Sequence, residues 1–177
     1  GPDDIGSSTD IGDWWTWFRG PDHHAYTTAL YSTTNKHASY TRPMPDPGGE
    51  NEIVMFKSCY PNSRLGGSIG DPIPDITSNP LRGQSCGSPH HTVANAQGIY
   101  NDLLGYFATR QDKLFVAVTA PPMVEAHMSA VEAENARHLN DWLIHDWLDE
   151  YPYANVAVFD FYNVLTSNGG EVSTNDL

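Results

Sequence analysis

The distribution of apolar residues along the chain predicts alternating strands and helices. Continuous apolar runs lie at 53–57, 114–119 and 155–161, and runs of this kind are typical of strands buried in a parallel sheet. Between them, apolar residues recur at helical spacing over 92–109 and 129–149. The order strand, helix, strand, helix, strand is that of βαβ units. The pattern therefore predicts an α/β fold whose parallel sheet is covered on both faces.

Both predicted helices carry recognisable start signals. Thr92 stands where an N-cap residue is expected, because its hydroxyl can accept a hydrogen bond from a free N–H of the first turn. Ser129 and Glu132 have the spacing of a capping box. The apolar face of the second helix comprises Leu139, Trp142, Leu143 and Trp147.

The N-terminal third of the chain is less regular. The segment TDIGDWWTWFRG predicts a short helix that begins after Thr9 or Asp10. Its aromatic residues either pack in the core or line a substrate groove; they are Trp14, Trp15, Trp17 and Phe18. Residues 20–50 and 62–91 are rich in proline, glycine, serine, asparagine and histidine. Connections of this length are uncommon unless they are functional.

The length of 177 residues is sufficient for a single domain with a substantial core. We predict one domain over 1–177, with an irregular, aromatic-rich part at 1–50 and a βαβαβ core at 51–165. The formal net charge of −13 argues against nucleic acid and anionic membrane surfaces as partners, and it suits a neutral or cationic partner. The low lysine content and the many prolines and glycines favour a secreted, extracellular protein.

The only two cysteines, Cys59 and Cys86, both lie in loop-like segments. In an oxidising compartment they would form a disulfide that contributes about 3–4 kcal/mol by closing the loop between them. Two inert thiols or a catalytic cysteine are the alternatives.

Polar side chains follow the first predicted strand in the sequence IVMFKSCYPNS (53–63). Ligands bind outside the carboxyl ends of the strands in open parallel sheets, so chemistry is expected here. Asn62, Ser58 or a backbone N–H of this turn could donate to the oxyanion of an acyl-transfer reaction. The alternative is an ordinary turn, in which asparagine and serine bond their own backbone.

Two histidine pairs are weaker candidates for chemistry. His90 or His91, just ahead of a predicted helix, could reach the strand ends as a general base, although a surface or capping role is the alternative. His23 and His24 lack further ligands at a recognisable spacing, and we predict no metal site. No phosphate loop, dinucleotide glycine pattern or Gly-x-Ser-x-Gly elbow occurs, so we expect no cofactor and no ordinary α/β-hydrolase.

Several segments together resemble secreted bacterial proteins of the SGNH (GDSL-like) hydrolase superfamily. The segments are TDIGDWWTWF, FKSCYPNS, NPLRGQ, ANAQGIYNDLLGYF, DKLFVAVTAPP, ARHLNDWL and NVAVFDFYNVLTSNGG. The resemblance implies a three-layer α/β/α, flavodoxin-like fold and hydrolysis of esters or acetyl esters, often on carbohydrates. In such enzymes an N-terminal serine is the nucleophile, a glycine and an asparagine form the oxyanion hole, and a C-terminal Asp-x-x-His motif supplies the base.

Applied to this sequence, the resemblance implies that Asn62 is an oxyanion donor and that Trp14, Trp15 and Trp17 border the groove for a neutral small-molecule or carbohydrate ester. The serine and histidine blocks are not evident, and neither is the strand that should precede the first helix. Three explanations stay open: a piece of a longer enzyme, a fold that has lost catalysis, or an in-chain substitute such as Ser58 with His90 or His91.

A competing hypothesis is a non-catalytic extracellular protein, either a carbohydrate-binding module or an assembly subunit. An incomplete sheet would leave an unpaired edge. A neighbouring copy would then supply the missing strand, which would give a homo-oligomer or a filament.

Overall fold

The computed structural model describes residues 9–32 and 48–166. Within these ranges the chain forms a three-stranded parallel sheet in the order β1-β2-β3, together with five α-helices. The strands are β1 (Ile53–Lys57), β2 (Leu114–Val118) and β3 (Val156–Phe159). The helices are α1 (Ile11–Phe18), α2 (His23–Ser32), α3 (Val93–Phe107), α4 (Ala130–His145) and α5 (Phe161–Thr166). The predicted α/β class with a parallel sheet is confirmed.

The helix start signals are confirmed, and the end of α4 is earlier than predicted. Thr92 accepts a hydrogen bond from the Asn95 N–H, and Ser129 and Glu132 form the capping box of α4. After His145 the chain leaves the helix, and the N–H groups of Asp146 and Trp147 both donate to the carbonyl of Trp142 at 2.9 Å. The apolar spacing that predicted a longer helix includes Trp147, which lies beyond the end of α4 but is still buried in the core.

Helix α2 was not predicted from the sequence. Its ten residues contain histidines and threonines, which are weak helix formers, and few large apolar side chains to set a period. Tertiary contacts hold it in place: the hydroxyl groups of Tyr31 and Tyr106 are hydrogen-bonded at 2.8 Å. The rest of the irregular segment, 33–47, lies outside the described residues.

An aromatic cluster fills the core between the helices and one face of the sheet. Phe107 of α3 stacks on Phe115 of β2 with ring centroids 4.1 Å apart, and Phe18 of α1 meets Phe107 edge-on at 5.2 Å. Trp14 contacts Phe56 of β1 in the same way at 5.3 Å. The burial of these rings is the main source of stability for the packing of α1 and α3 on the sheet.

The opposite face of the sheet is exposed along β1 and at the end of β3 in the described part of the chain, whereas Val118 of the central strand is covered. Ile53, Met55 and Phe159 share this face in register and are 61%, 62% and 48% exposed. The expectation of helices on both faces is therefore met on one face within the described residues. The strand sequences are apolar on both faces, so the apolar pattern does not distinguish the covered face from the exposed one. None of the helices described is both long and apolar enough to cross a membrane.

Candidate functional site

The carboxyl ends of β1 and β2 border an open cavity of about 500 Å³. Its walls are formed by Tyr60, Pro121, Pro122, Met123, Val124 and His127. The loops that follow the two strands are tied together, because the Ser63 hydroxyl donates to the carbonyl of Pro121 at 2.7 Å. The cavity lies where ligands of parallel α/β folds are expected. Its surface is largely apolar, with Tyr60 and His127 exposed to solvent.

Asn62 is fully buried in the same turn as Tyr60 and connects β1 to α1. Its Oδ1 accepts a hydrogen bond from the backbone N–H of Ile11 at 2.9 Å. Its Nδ2 donates to Asp10 Oδ1 at 2.7 Å and to the carbonyl of Cys59 at 3.3 Å. Both amide hydrogens thus have acceptors within the protein. Asn62 could donate to an oxyanion only by giving up one of these bonds.

Asp10 is the residue at this site whose importance the sequence did not reveal. Besides the bond from Asn62, its Oδ2 accepts the backbone N–H of Cys86 at 3.0 Å. The carboxylate therefore joins the β1 turn, the start of α1 and the loop before α3. From the sequence, an aspartate before a helix indicates an N-cap or a favourable charge at the helix N-terminus, and these distant partners could not be inferred.

Ser58, just after β1, and His91, shortly before α3, are buried with polar atoms that have no hydrogen-bond partner among the described residues. These atoms are Ser58 Oγ and His91 Nε2. His91 Nδ1 lies 3.0 Å from the carbonyl oxygen of Arg64 and must carry the proton, since a carbonyl only accepts. Burial lowers the pKa of His91, so the ring is neutral at pH 7 and Nε2 keeps a free lone pair. Sequence reasoning selected both residues, and both have unused hydrogen-bonding capacity.

The thiols of Cys59 and Cys86 are both free in the structure, and the backbone of Cys86 contacts the Asp10 carboxylate. Burial, followed by the charge of Asp10, raises the pKa of the Cys86 thiol. A thiol that stays protonated is a poor nucleophile, which disfavours a catalytic role for Cys86. The Cys59–Cys86 disulfide stays a prediction.

The tryptophans proposed for substrate binding lie mainly in the core. Trp14 and Trp17 are buried and meet edge-on at 5.0 Å, so packing is the role that the structure gives them. Trp15 is half-buried, with the Arg82 guanidinium 5.0 Å from its ring centre. None of the three lines the strand-end cavity.

The other histidine candidates have different surroundings from His91. His90 is exposed, and His23 Nδ1 bonds the carbonyl of Gly20 at 2.9 Å beside His24 at the start of α2. In the part of the chain that the structure describes, no three histidine, cysteine or acidic side chains form a group that could hold a metal ion.

Comparison of the chain with protein-family models, with curated proteins and with solved structures finds no match. The SGNH resemblance therefore stays a prediction, and the functional argument depends on the site itself.

Proposed function

We propose that this chain is an SGNH-like hydrolase domain of the three-layer, flavodoxin-like type that cleaves an ester of a neutral small molecule or carbohydrate outside the cell. The observation that carries the proposal is that two candidate residues have buried polar atoms without a hydrogen-bond partner among the described residues: Ser58 Oγ, just after the carboxyl end of β1, and His91 Nε2, shortly before α3. Leaving a buried polar group unpaired costs about 1–3 kcal/mol, so each such group calls for an explanation. Catalysis supplies one, because a reacting group needs a free lone pair or hydrogen.

In this proposal the ester lies in the cavity bordered by Tyr60 and Met123. Ser58 Oγ attacks the ester carbonyl while His91 Nε2 takes its proton, and backbone N–H groups of the 58–63 turn donate to the oxyanion. The proton then passes to the departing alkoxide, which leaves the acyl group on Ser58. Water attacks this acyl group and gives its proton to His91 Nε2, and that proton returns to Ser58 Oγ as the acid departs. Ser58 is fully buried, so a substrate reaches it only when the 58–63 turn moves outward.

His91 and its exposed neighbour His90 form a matched pair of positions for mutation. Their variants can be tested on p-nitrophenyl acetate and on acetylated sugars. We expect turnover by the unmodified chain and a fall of about 100-fold or more in kcat/KM for His91→Gln, since general-base catalysis contributes at least this much. His90→Gln changes the exposed neighbour and should leave kcat/KM within about twofold. Labelling with a serine-reactive phosphonate, followed by peptide mapping, identifies the attacking serine.

Two results would contradict this proposal. An absence of both turnover and labelling would exclude catalysis by this chain. Equal losses in the His90 and His91 variants would exclude His91 as the base.

The second candidate function is a non-catalytic assembly subunit, and the edge of β1 that is unpaired within the described residues favours it. Within the described residues β1 pairs on one side only, with β2, and its outer residues Ile53 and Met55 are exposed. An added strand from a neighbouring copy would extend the sheet. If so, light scattering will show oligomers that Met55→Lys dissociates. A monomer at every concentration would rule this candidate out.

A further inference from the structure

A second cavity, of about 450 Å³, lies at the end of α4 and against α3. Its side chains include Asn101, Leu104, Trp142, Asp146, Glu150 and Tyr151. Tyr151 bonds Asn155, the residue just before β3, so the cavity lies toward the amino ends of the strands. Ser58 lies at the carboxyl ends. The two cavities are therefore separate, and nothing in the proposed esterase reaction uses this one.

Aromatic side chains form fixed walls of the second cavity. Trp142 and Tyr151 are half-buried and pack against the core. The Tyr151 hydroxyl donates to Asn155 Oδ1 at 2.8 Å, which holds the phenol ring in position. The backbone around Trp142 is held by the two N–H bonds to its carbonyl. A ligand would meet these rings with little ordering required of the protein.

The charge of this cavity is negative. Asp146 and Glu150 lie at its rim, and no lysine or arginine lines it. Neither carboxylate forms an ion pair with a described residue. The carboxyl end of α4 lies beside Asp146, and its free carbonyl groups add a partial negative charge. An anionic ligand would be repelled here.

We propose that the second cavity binds an organic cation, an ammonium group carried on a small apolar body. Aromatic rings attract a cation through their electron-rich faces, and carboxylates at the rim neutralise it. The apolar body would contact Leu104 and the rings. This inference is independent of the proposed hydrolase function, because it uses no residue of the strand-end site.

Choline and its neutral isostere 3,3-dimethyl-1-butanol form a matched pair of probes, which differ only in the charge of the head group. We expect choline to change the tryptophan fluorescence in a saturable way, since Trp142 lines the cavity. The affinity of the neutral alcohol should be lower by about tenfold or more, because it lacks the attraction to the rings and to the carboxylates. Equal binding of the two probes, or no saturable binding of choline, would overturn the proposal.

Amino-acid substitutions test whether choline binds in the second cavity. The double variant Asp146→Asn, Glu150→Gln removes both charges at exposed positions, where the fold does not depend on them. It should weaken choline binding about tenfold. Glu134→Gln is the control, since it removes an exposed charge from the same helix outside the cavity, and its affinity should stay within about twofold. Unchanged binding by the double variant would show that these carboxylates are not the ligands and would also overturn the proposal.

Discussion

Replacing Gly12 by alanine is expected to destabilise the protein by about 3 kcal/mol, although alanine is the better helix former. A Cβ atom at Gly12 would overlap the carbonyl oxygens of Leu81 and Gln84 and lie 2.9 Å from the Gln84 nitrogen. These are backbone atoms and cannot rotate away. Helix α1 would have to separate from the 81–84 turn, which would also break the 2.9 Å hydrogen bond from the Gly83 N–H to the Gly12 carbonyl.

Gly105 provides the matched control for this substitution. It also lies within a helix, but a Cβ atom there would meet only the Arg19 side chain, at an ordinary distance of 3.6 Å. We therefore expect Gly105→Ala to be neutral or to stabilise the protein by about 0.5–1 kcal/mol. Urea unfolding of both variants measures the difference. Equal stabilities would mean that α1 does not pack against the 81–84 turn as described.

Replacing Asn62 by alanine is expected to cost about 3 kcal/mol of stability, whatever its effect on catalysis. The substitution removes three hydrogen bonds and leaves the Ile11 N–H unsatisfied inside the protein. It also takes one donor away from the Asp10 carboxylate, and hydrogen bonds to charged groups are worth more than neutral ones. The loss should appear as a lower midpoint in urea unfolding, together with a changed near-ultraviolet circular dichroism spectrum, because Trp14 lies on the helix that Asn62 anchors.

Gln111→Ala is the control for Asn62→Ala. Gln111 is exposed and makes one 3.3 Å bond to the Ala108 carbonyl, so its loss should change stability by about 0.5 kcal/mol or less. If Asn62→Ala were as stable as this control while hydrolysis was lost, Asn62 would act on the substrate and not on the fold. The measurement therefore separates the oxyanion role predicted from the sequence from the connecting role seen in the structure.

The regular elements around the site could be predicted because they depend on local patterns. Continuous apolar runs located the three strands, and helical spacing with the Thr92 and Ser129 signals located α3 and α4. The segment of α2 has no helical spacing of apolar residues, and this helix was not predicted. Its position depends on contacts such as that between Tyr31 and Tyr106, which are 75 residues apart in the chain.

Candidate site residues could be selected from the sequence, but their hydrogen-bond partners could not. The rule for parallel sheets selected Ser58 and Asn62 at the end of the first strand, and His90 or His91 was a candidate because it lies just ahead of a predicted helix. The partners of Asn62 could not be inferred, because Asp10 is 52 residues away in sequence and any of several polar groups could have met its amide.

The sequence by itself determined the α/β class, the parallel strands and the end of the sheet where polar groups gather. Apolar runs and helical periodicity specify which elements form and which face of a helix is buried. Only the tertiary structure decided which of the described polar groups have hydrogen-bond partners and which have none. Asn62 and Asp10 satisfy each other, whereas Ser58 Oγ and His91 Nε2 find no partner among the described residues. That outcome depends on the positions of individual donor and acceptor atoms, to within a fraction of an ångström, after distant segments have packed together.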